Sequence, residues 1–263
     1  MSDAVIVGTP RQDKLLREVN ERGYISVEEL TELLDVSAQT IRRDIKKLSD
    51  QKLLIRHHGG AARNSSVVNL DYSVRQTSET EEKEAIGEAI AAQIPDNSSI
   101  FVSIGTTTET IAKHLLQKRG LQVITNSLRV ANVLYQNPDF NVMVPCGKLR
   151  STNGGILGST ALDFINHFRV DYLITSCGSI DSDGTLLDYE FNEVIMVQSM
   201  MKTARKVFIA ADSTKFSTTA TVEMGHIKNI SALFTDSQPP ADIRMQLELN
   251  GVKLLVCSSP NRK

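Results

Sequence analysis

Cysteine is scarce in this 263-residue chain: Cys146, Cys177 and Cys257 are odd in number and widely separated, with no Cys-x-x-Cys pair and no histidine at ligand spacing. That argues against a disulfide scaffold and against a thiolate metal site, and it predicts reduced, mostly buried thiols in a cytosolic protein. Long apolar runs are missing too. No stretch approaches the ~18 residues a spanning helix needs, and the early run Ala4–Val7 follows Asp3 rather than Lys or Arg, so neither secretion nor membrane insertion is expected. With 7 prolines and 15 glycines the chain is too poor in both to be collagenous or of low complexity, and its 41% apolar residues suffice for a substantial core. An excess of one charge is also lacking, since 29 basic side chains face 31 acidic ones.

The balance conceals an asymmetry. Between Ser37 and Arg63 seven basic residues (Arg42, Arg43, Lys46, Lys47, Lys52, Arg56 and Arg63) accompany only Asp44 and Asp50, and the remainder of the chain is correspondingly acidic. One basic segment on an acidic body is the footprint of a part that meets phosphate, although a solvated helix face would look similar.

Three short helices are legible in the first fifty residues. Thr9-Pro10 with Gln12 forms a capping box ahead of Leu15, Leu16 and Val19, and Gly23 closes that helix. Ser26 with Glu29 opens a second, whose Val27, Leu30, Leu33 and Leu34 share one face, and Ser37 caps a third. In the third, Ile41, Ile45 and Leu48 form an inner stripe, while Gln39, Arg43 and Lys46 point nearly opposite, flanked by Arg42 and Lys47. Side chains near the N-terminal end of such a helix reach base edges in a major groove, Arg pairing with guanine and Gln with adenine. Gln39, Thr40 and Arg43 are therefore the candidate base readers, and Arg42, Lys46 and Lys47 the candidate phosphate contacts. Residues 52–56 read as a strand and His57-His58-Gly59-Gly60-Ala61 as a tight glycine turn or return strand, which together make a β-wing that lays Arg56, His57 and His58 along the backbone of the duplex. The adjacent histidines lack partner ligands and are not expected to hold a metal. A winged helix-turn-helix over residues 1–63 follows, then a polar, aperiodic linker over 64–79.

From residue 80 to 263 short apolar strands alternate with amphipathic helices, predicting an open, mainly parallel α/β sheet whose ligand sits at the carboxyl ends of the strands. Helices are expected over 81–94, 109–117, 127–135 and 193–204, and strands over 100–104, 121–124, 141–144, 172–175, 207–210, 232–234 and 252–256. Polar turns gather at those ends. Ile104 is followed by Gly105-Thr106-Thr107-Thr108 and a helix, an arrangement that holds a phosphate on backbone amides, hydroxyls and the positive helix terminus. Thr125-Asn126-Ser127, the loop with Gly154, Gly155 and Gly158, the turn Asp181–Gly184, and Asp212–Phe216 with Lys215 complete the set. They predict a pocket for a small polar phosphorylated ligand. Asp181 and Asp183 serve equally well as turn formers, and Lys215 as a partner of Asp212. Met196, Met200 and Met201 read as core, Cys146 and Cys177 lie near the expected pocket without a base to activate them, and no cofactor or metal set is apparent.

On these residues the chain resembles the DeoR family of bacterial transcriptional repressors, most closely its glycerol-3-phosphate repressor branch, over essentially its whole length. The resemblance rests on Gly23–Leu30, Val36–Asp44 and Arg56–Ala61, then on Ile104–Thr107, Leu149–Gly158, Ile180–Gly184 and Asp212–Phe216. It implies an effector domain similar to ribose-5-phosphate isomerase and CoA-transferase domains, with the Gly105 loop holding a phosphate and Asp181 and Lys215 lining the sugar or polyol end. It further implies a protein that leaves double-stranded operator DNA when glycerol-3-phosphate or another phosphorylated sugar binds, and because one recognition helix covers only a few base pairs, a homodimer or homotetramer is expected. The chain departs from the family pattern at Cys146-Gly147-Lys148, where Gly-Gly-Glu is usual, at Val197, where Lys is usual, and at Ser103, where the branch has Asp. Two other functions compete with a non-enzymatic, effector-released repressor: a constitutive DNA-binding protein with a vestigial pocket, and a sugar-phosphate isomerase with a DNA-binding appendage. The isomerase would need a poised general base.

Overall fold

The computed structural model describes residues 8–257 apart from Lys52, His58 and residues 66–68. Its N-terminal part runs α1 (Pro10–Arg22), β1 (Tyr24–Ser26), α2 (Val27–Leu34), α3 (Ala38–Asp50), β2 (Leu54–His57) and β3 (Gly60–Arg63). The capping signals act as the sequence predicts. The Thr9 hydroxyl accepts from the Gln12 amide while the Gln12 side chain accepts from the Thr9 amide, and Ser26 and Glu29 do the same for α2. Asp35 ends α2 in a left-handed conformation, and the Ser37 hydroxyl accepts from the Thr40 amide to start α3. Leu15, Val19, Leu30, Ile41, Ile45 and Leu48 pack together beneath the wing. Each such burial is worth roughly 1.5–3 kcal/mol. The wing is an antiparallel sheet in the order β1-β3-β2. Gly60 is required there, because a Cβ would lie 2.3 Å from the Ile25 carbonyl oxygen and under 3 Å from the Tyr24 ring.

One acid in the basic segment is structural. Asp44 is buried on the inner side of α3, accepting from Arg11 at 2.6 Å and from Gln12 at 2.7 Å, and so ties α1 to α3. Burial pushes its carboxyl up, but the hydrogen bonds from Arg11 and Gln12 and the charge of Arg11 outweigh this and hold it below the usual range.

The segment expected to be an aperiodic linker contains α4 (Tyr72–Thr77). Its hold comes from residues far along the chain: the Tyr72 hydroxyl donates to Glu109, and the Arg129 guanidinium stacks 4.4 Å from the Tyr72 ring centre.

Next come α5 (Thr80–Gln93), β4 (Ser99–Val102), α6 (Thr106–Leu115), β5 (Gln122–Thr125), α7 (Leu128–Leu134) and β6 (Asn141–Met143). A hairpin of β7 (Lys148–Leu149) and β8 (Ile156–Leu157) precedes α8 (Ser159–Asn166), β9 (Val170–Ser176), β10 (Ser179–Ile180) and β11 (Thr185–Asp188). The chain continues through α9 (Phe191–Thr203), β12 (Ala204–Ala210), β13 (Val222–His226), β14 (Ala232–Thr235), α10 (Ala241–Leu249) and β15 (Lys253–Val256). Seven strands form a wholly parallel sheet, β15-β14-β12-β9-β4-β5-β6. Alternate residues feed opposite faces: Phe101, Leu173, Val207 and Ile209 join one core, and Ile100, Val102, Ile174 and Phe208 the other. The expected strands are present with ends shifted by a few residues. Helices α8 and α10 and the antiparallel β10-β11-β13 sheet stand outside the sequence expectation.

Strand order fixes where a ligand can sit. The chain enters the sheet at β4 and steps one way to β5 and β6, then returns to β4's other side with β9 and steps away through β12, β14 and β15. A crevice therefore opens beyond the carboxyl ends of β4 and β9, where the winding reverses.

Candidate functional site

Two regions carrying clustered cations stand out, and the first is the outer face of α3. Gln39, Arg42, Arg43, Lys46 and Lys47 are all exposed along a helix of 13 residues. Lys47 Nζ reaches to 3.5 Å from the Gln12 side chain, leaving Arg42, Arg43 and Lys46 as the more open cations. Ser37 and Thr40, whose hydroxyls lie 3.0 Å apart, belong to the cap at the N-terminal end. Arg56 is exposed on the wing. His57 corrects the expectation of a DNA contact: its side chain is 4% exposed and Nδ1 lies 2.9 Å from a Glu79 oxygen. The reason is strand alternation, which puts Arg56 and His57 on opposite faces of β2. His58 lies outside the described residues.

The second region is a cavity at the β4–β9 crevice, about 70 Å³, several times the ~10–15 Å³ that one water needs. Its floor is the turn after β4, Ile104–Thr107, together with Ser176–Gly178 after β9. Gly105 adopts φ +157° and ψ 153°, a region essentially confined to glycine, and a Cβ would meet Ser176 Oγ at 3.0 Å. Thr106 and Thr107 begin α6 and present its first turn to the cavity.

Cations and acids line the walls. Lys215, in the 3-10 segment Ser213–Phe216, lies 3.9 Å from Asp212. Burial works against its ammonium, but the nearby carboxylates, Asp212 foremost, outweigh it and raise its pKa. Lys83 on α5 donates to the backbone carbonyls of Arg75 and Ser78, the latter at 2.6 Å. Burial is the largest influence on it, and its pKa falls to about 8. Asp188, at the end of β11, is pushed up to about 6 by burial, against a 2.8 Å hydrogen bond from the Tyr189 amide. Glu193 accepts from Arg150 at 2.7 Å and from Asn153 at 2.8 Å. Arg75, Glu79 and Tyr189 also belong to this polar lining.

Of the residues expected to bind an effector, the structure brings Gly105, Thr106, Thr107 and Lys215 to this cavity. Thr108 is turned inward, its hydroxyl donating to the carbonyls of Ser103 and Gly105 and so shaping the turn from behind. Asn126 lines a smaller adjoining space with Ser176, Asp188, Glu193 and Val197, and its buried Oδ1 has no hydrogen-bond partner among the described residues. Gly155 pairs with Ser127, and a Cβ on it would come within 2.5 Å of Ile104, so its service is to let this loop approach the turn after β4. Gly154 packs against Arg129 and lies outside the cavity lining. Asp181 is exposed in the β10–β11 hairpin, where its amide and carbonyl close the turn with Thr185 and Gly184. Asp183 accepts from the Thr185 amide at 2.9 Å, so both aspartates act as turn formers.

Several lining residues escaped the sequence reading. Lys83 carried a usable signal, since it falls on the buried stripe of α5 with Ile86, Gly87 and Ile90, where a lysine is costly. Arg75, Asp188 and Tyr189 carried none. The departures from the family pattern divide: Cys146 and Lys148 are exposed and line no part of the cavity, contrary to the expectation that Cys146 lies near the site, whereas Cys177 and Cys257 are buried and Cys177 lines it. Ser103 is buried and shares a 2.7 Å hydrogen bond with Thr175.

The comparisons with known proteins agree with this division into two functional regions. Residues 11–67 match the model of the DeoR-like helix-turn-helix domain, and residues 78–237 that of the DeoR C terminal sensor domain. The chain belongs to the DeoR family. Among relatives of this DeoR-family protein, the HTH-type transcriptional repressor CsqR of Escherichia coli is 52% identical over 97% of this chain and 98% of its own. The glycerol-3-phosphate regulon repressor of Escherichia coli is 43% identical over 95% and 99%, and the HTH-type transcriptional repressor GlcR of Bacillus subtilis 30% identical over 95% and 96%. Ribose 5 phosphate isomerase A from Neisseria gonorrhoeae superposes on about half of each chain (52% and 53%) at 13% identity and a TM-score of 0.38, a likeness too distant to carry chemistry. No helix among the described residues is long and apolar enough to cross a membrane.

Proposed function

We propose that this DeoR-family protein is a DNA-binding transcriptional repressor that leaves its operator when a phosphorylated sugar or polyol occupies the cavity at the β4–β9 crevice. The observation that carries the reading is the pairing of an exposed cationic helix face, Arg42, Arg43 and Lys46, with an enclosed cavity in which Lys83, Lys215 and Arg75 face the Gly105–Thr107 turn. The first suits a phosphate backbone and base edges. The second suits one small anion with polar substituents, because Lys83 and Lys215, fixed by carbonyls and Asp212 and largely withdrawn from water, bring positive charge to a confined space beside the start of α6. Gln39, Thr40 and Arg43 read bases, with Ser37 setting the helix end, and Arg42, Lys46, Lys47 and Arg56 hold phosphates. Gly105, Thr106, Thr107 and Lys215 hold the effector. A homodimer or homotetramer would present two recognition helices to half-sites one helical turn or a multiple apart.

Fluorescence anisotropy with DNA from upstream of the protein's own and neighbouring genes tests this at fixed salt, since affinity depends steeply on salt. Glycerol-3-phosphate and a panel of sugar phosphates are titrated into the complex. Release by one compound at micromolar to millimolar levels supports the reading and names the effector. Tight binding indifferent to every compound would favour a constitutive DNA-binding protein, and turnover of an aldose phosphate an isomerase.

A further inference from the structure

We infer that the wing forms part of the effector cavity and that His57 offers Nε2 to the bound ligand, so that occupancy is sensed by the DNA-binding unit directly. This rests on the cavity being the effector site. Ile55, His57 and Arg63 of the wing line the same cavity as Gly105, Thr106 and Lys215, although 40 or more residues separate the two sets in the chain. His57 is held from one side only. Its Nδ1 is bound to Glu79 at 2.9 Å, while Nε2 is buried with no hydrogen-bond partner among the described residues.

A buried ring nitrogen left unmatched costs free energy, and native structures rarely retain one without a reason. Because the Glu79 carboxylate can only accept, Nδ1 carries a proton, and Nε2 is then an acceptor in the neutral ring or a second donor in the charged one. A phosphate oxygen, which accepts, matches the charged ring, and a sugar hydroxyl, which can donate or accept, matches either form. Glu79 itself sits at the start of α5 with a left-handed backbone, φ 49° and ψ 39°, at the join between α4 and the sheet domain. Any ligand that displaces or tightens His57 therefore acts on β2, whose neighbouring residue Arg56 is on the exposed side of the wing. No relay through the sheet is needed.

Inorganic phosphate serves as the probe, because it tests the anion site whatever sugar the natural effector carries. The full chain has five histidines, so ring ¹³Cε1–¹H signals are few, and the His57 signal is assigned by its loss in His57→Asn or, if that variant does not fold, by elimination using the other four positions. Titration of phosphate into the wild-type protein is read at the His57 ring and at the amides of Thr106 and Thr107. Shifts at both, saturating with one dissociation constant, support the inference. Shifts at the two amides with an unmoved His57 ring overturn it and leave the cavity reading standing. Unmoved amides overturn the anion-cavity reading, and this one with it. In His57→Asn, which keeps a donor for Glu79 and removes Nε2, phosphate should bind about tenfold or more weakly. Unchanged affinity would likewise overturn the inference.

Discussion

The two regions of this protein that carry clustered cations place them in opposite surroundings. On α3 the cations stand in solvent, where each costs little to keep and acts on a long, repetitive polyanion. Around the cavity Lys83 and Lys215 are largely withdrawn from water and held by carbonyls or carboxylates, so each is a fixed charge aimed at a small space. The comparison teaches that exposure rather than charge count separates a polymer-binding face from a small-anion site. It also implies that damage to either region should leave the other working, apart from whatever passes through the wing.

The largest effects should come from crossing the two regions. Arg43→Ala removes an exposed side chain that supports nothing in the core, so melting should stay within about 0.5 kcal/mol of the parent. Specific operator affinity should fall by roughly tenfold to a hundredfold or more, the worth of a bidentate base contact. Thr106→Val combined with Lys215→Ala should do the reverse, giving a protein that binds operator yet ignores effector. Anisotropy titrations of both variants check this. Unchanged operator affinity in the first would remove Arg43 from the interface, and a normal effector response in the second would move the effector elsewhere.

Asp44 sharpens the contrast, because it is the acid of the basic segment that behaves like a cavity residue. Replacing it by Asn takes a charge from Arg11 and Gln12 inside the packed helices, and should cost about 1–3 kcal/mol at neutral pH. The sign with pH follows from its lowered pKa. Stability from this carboxylate is full above the usual Asp value of about 3.9 and is lost as pH falls through the lower folded value. Denaturation at pH 7 and in acid should therefore show the difference between wild type and Asp44→Asn shrinking toward low pH.

Lys83 separates stability from ligand affinity. Its folded pKa of about 8 lies below the usual 10.5, so the unfolded chain holds more protons between those values and the contribution of this group to stability improves as pH rises across them. Anion affinity should move the other way, weakening as pH climbs past about 8 and the ammonium is lost. Denaturation at pH 7 and pH 9, in wild type and Lys83→Met, checks the first slope, and calorimetric titrations with phosphate or the identified effector at the same pH values check the second. The variant should flatten each.

How much of this was legible beforehand follows the same division. The winged part is built from local signals, Thr9 with Gln12, Ser26 with Glu29 and Ser37, each acting within three residues, and the exposed face of α3 follows from helical period alone. The Gly105 turn and Lys215 were also visible, because strand–turn–helix chemistry is local. The cavity's other side was not. α4 has no apolar period and is held by Glu109 and Arg129, which lie 37 and 57 residues beyond Tyr72. Asp181 was open between turn former and, through the family resemblance, ligand group, and in the hairpin register its backbone closes the turn with Thr185 and Gly184. His57 was legible in principle, through its alternation with Arg56, but its partner Glu79 could be found only in three dimensions.

The smallest effect tests the polymer side of the comparison most finely. Lys46 is exposed on α3 with no carboxylate paired to it among the described residues, and it lies beyond the reach of the helix's N-terminal base readers. If it neutralises one phosphate, Lys46→Ala should weaken binding nearly uniformly across DNA sequences and reduce the slope of log affinity against log salt by about 1. A residue that reads a base would instead relax specificity at one operator position. An unchanged salt slope would place Lys46 outside the interface and confine the docked part of α3 to its N-terminal end, around Gln39 and Arg43. A matched change at Lys215 should leave that salt slope untouched, because an enclosed cation that meets a single small anion releases none of the counterions condensed on DNA.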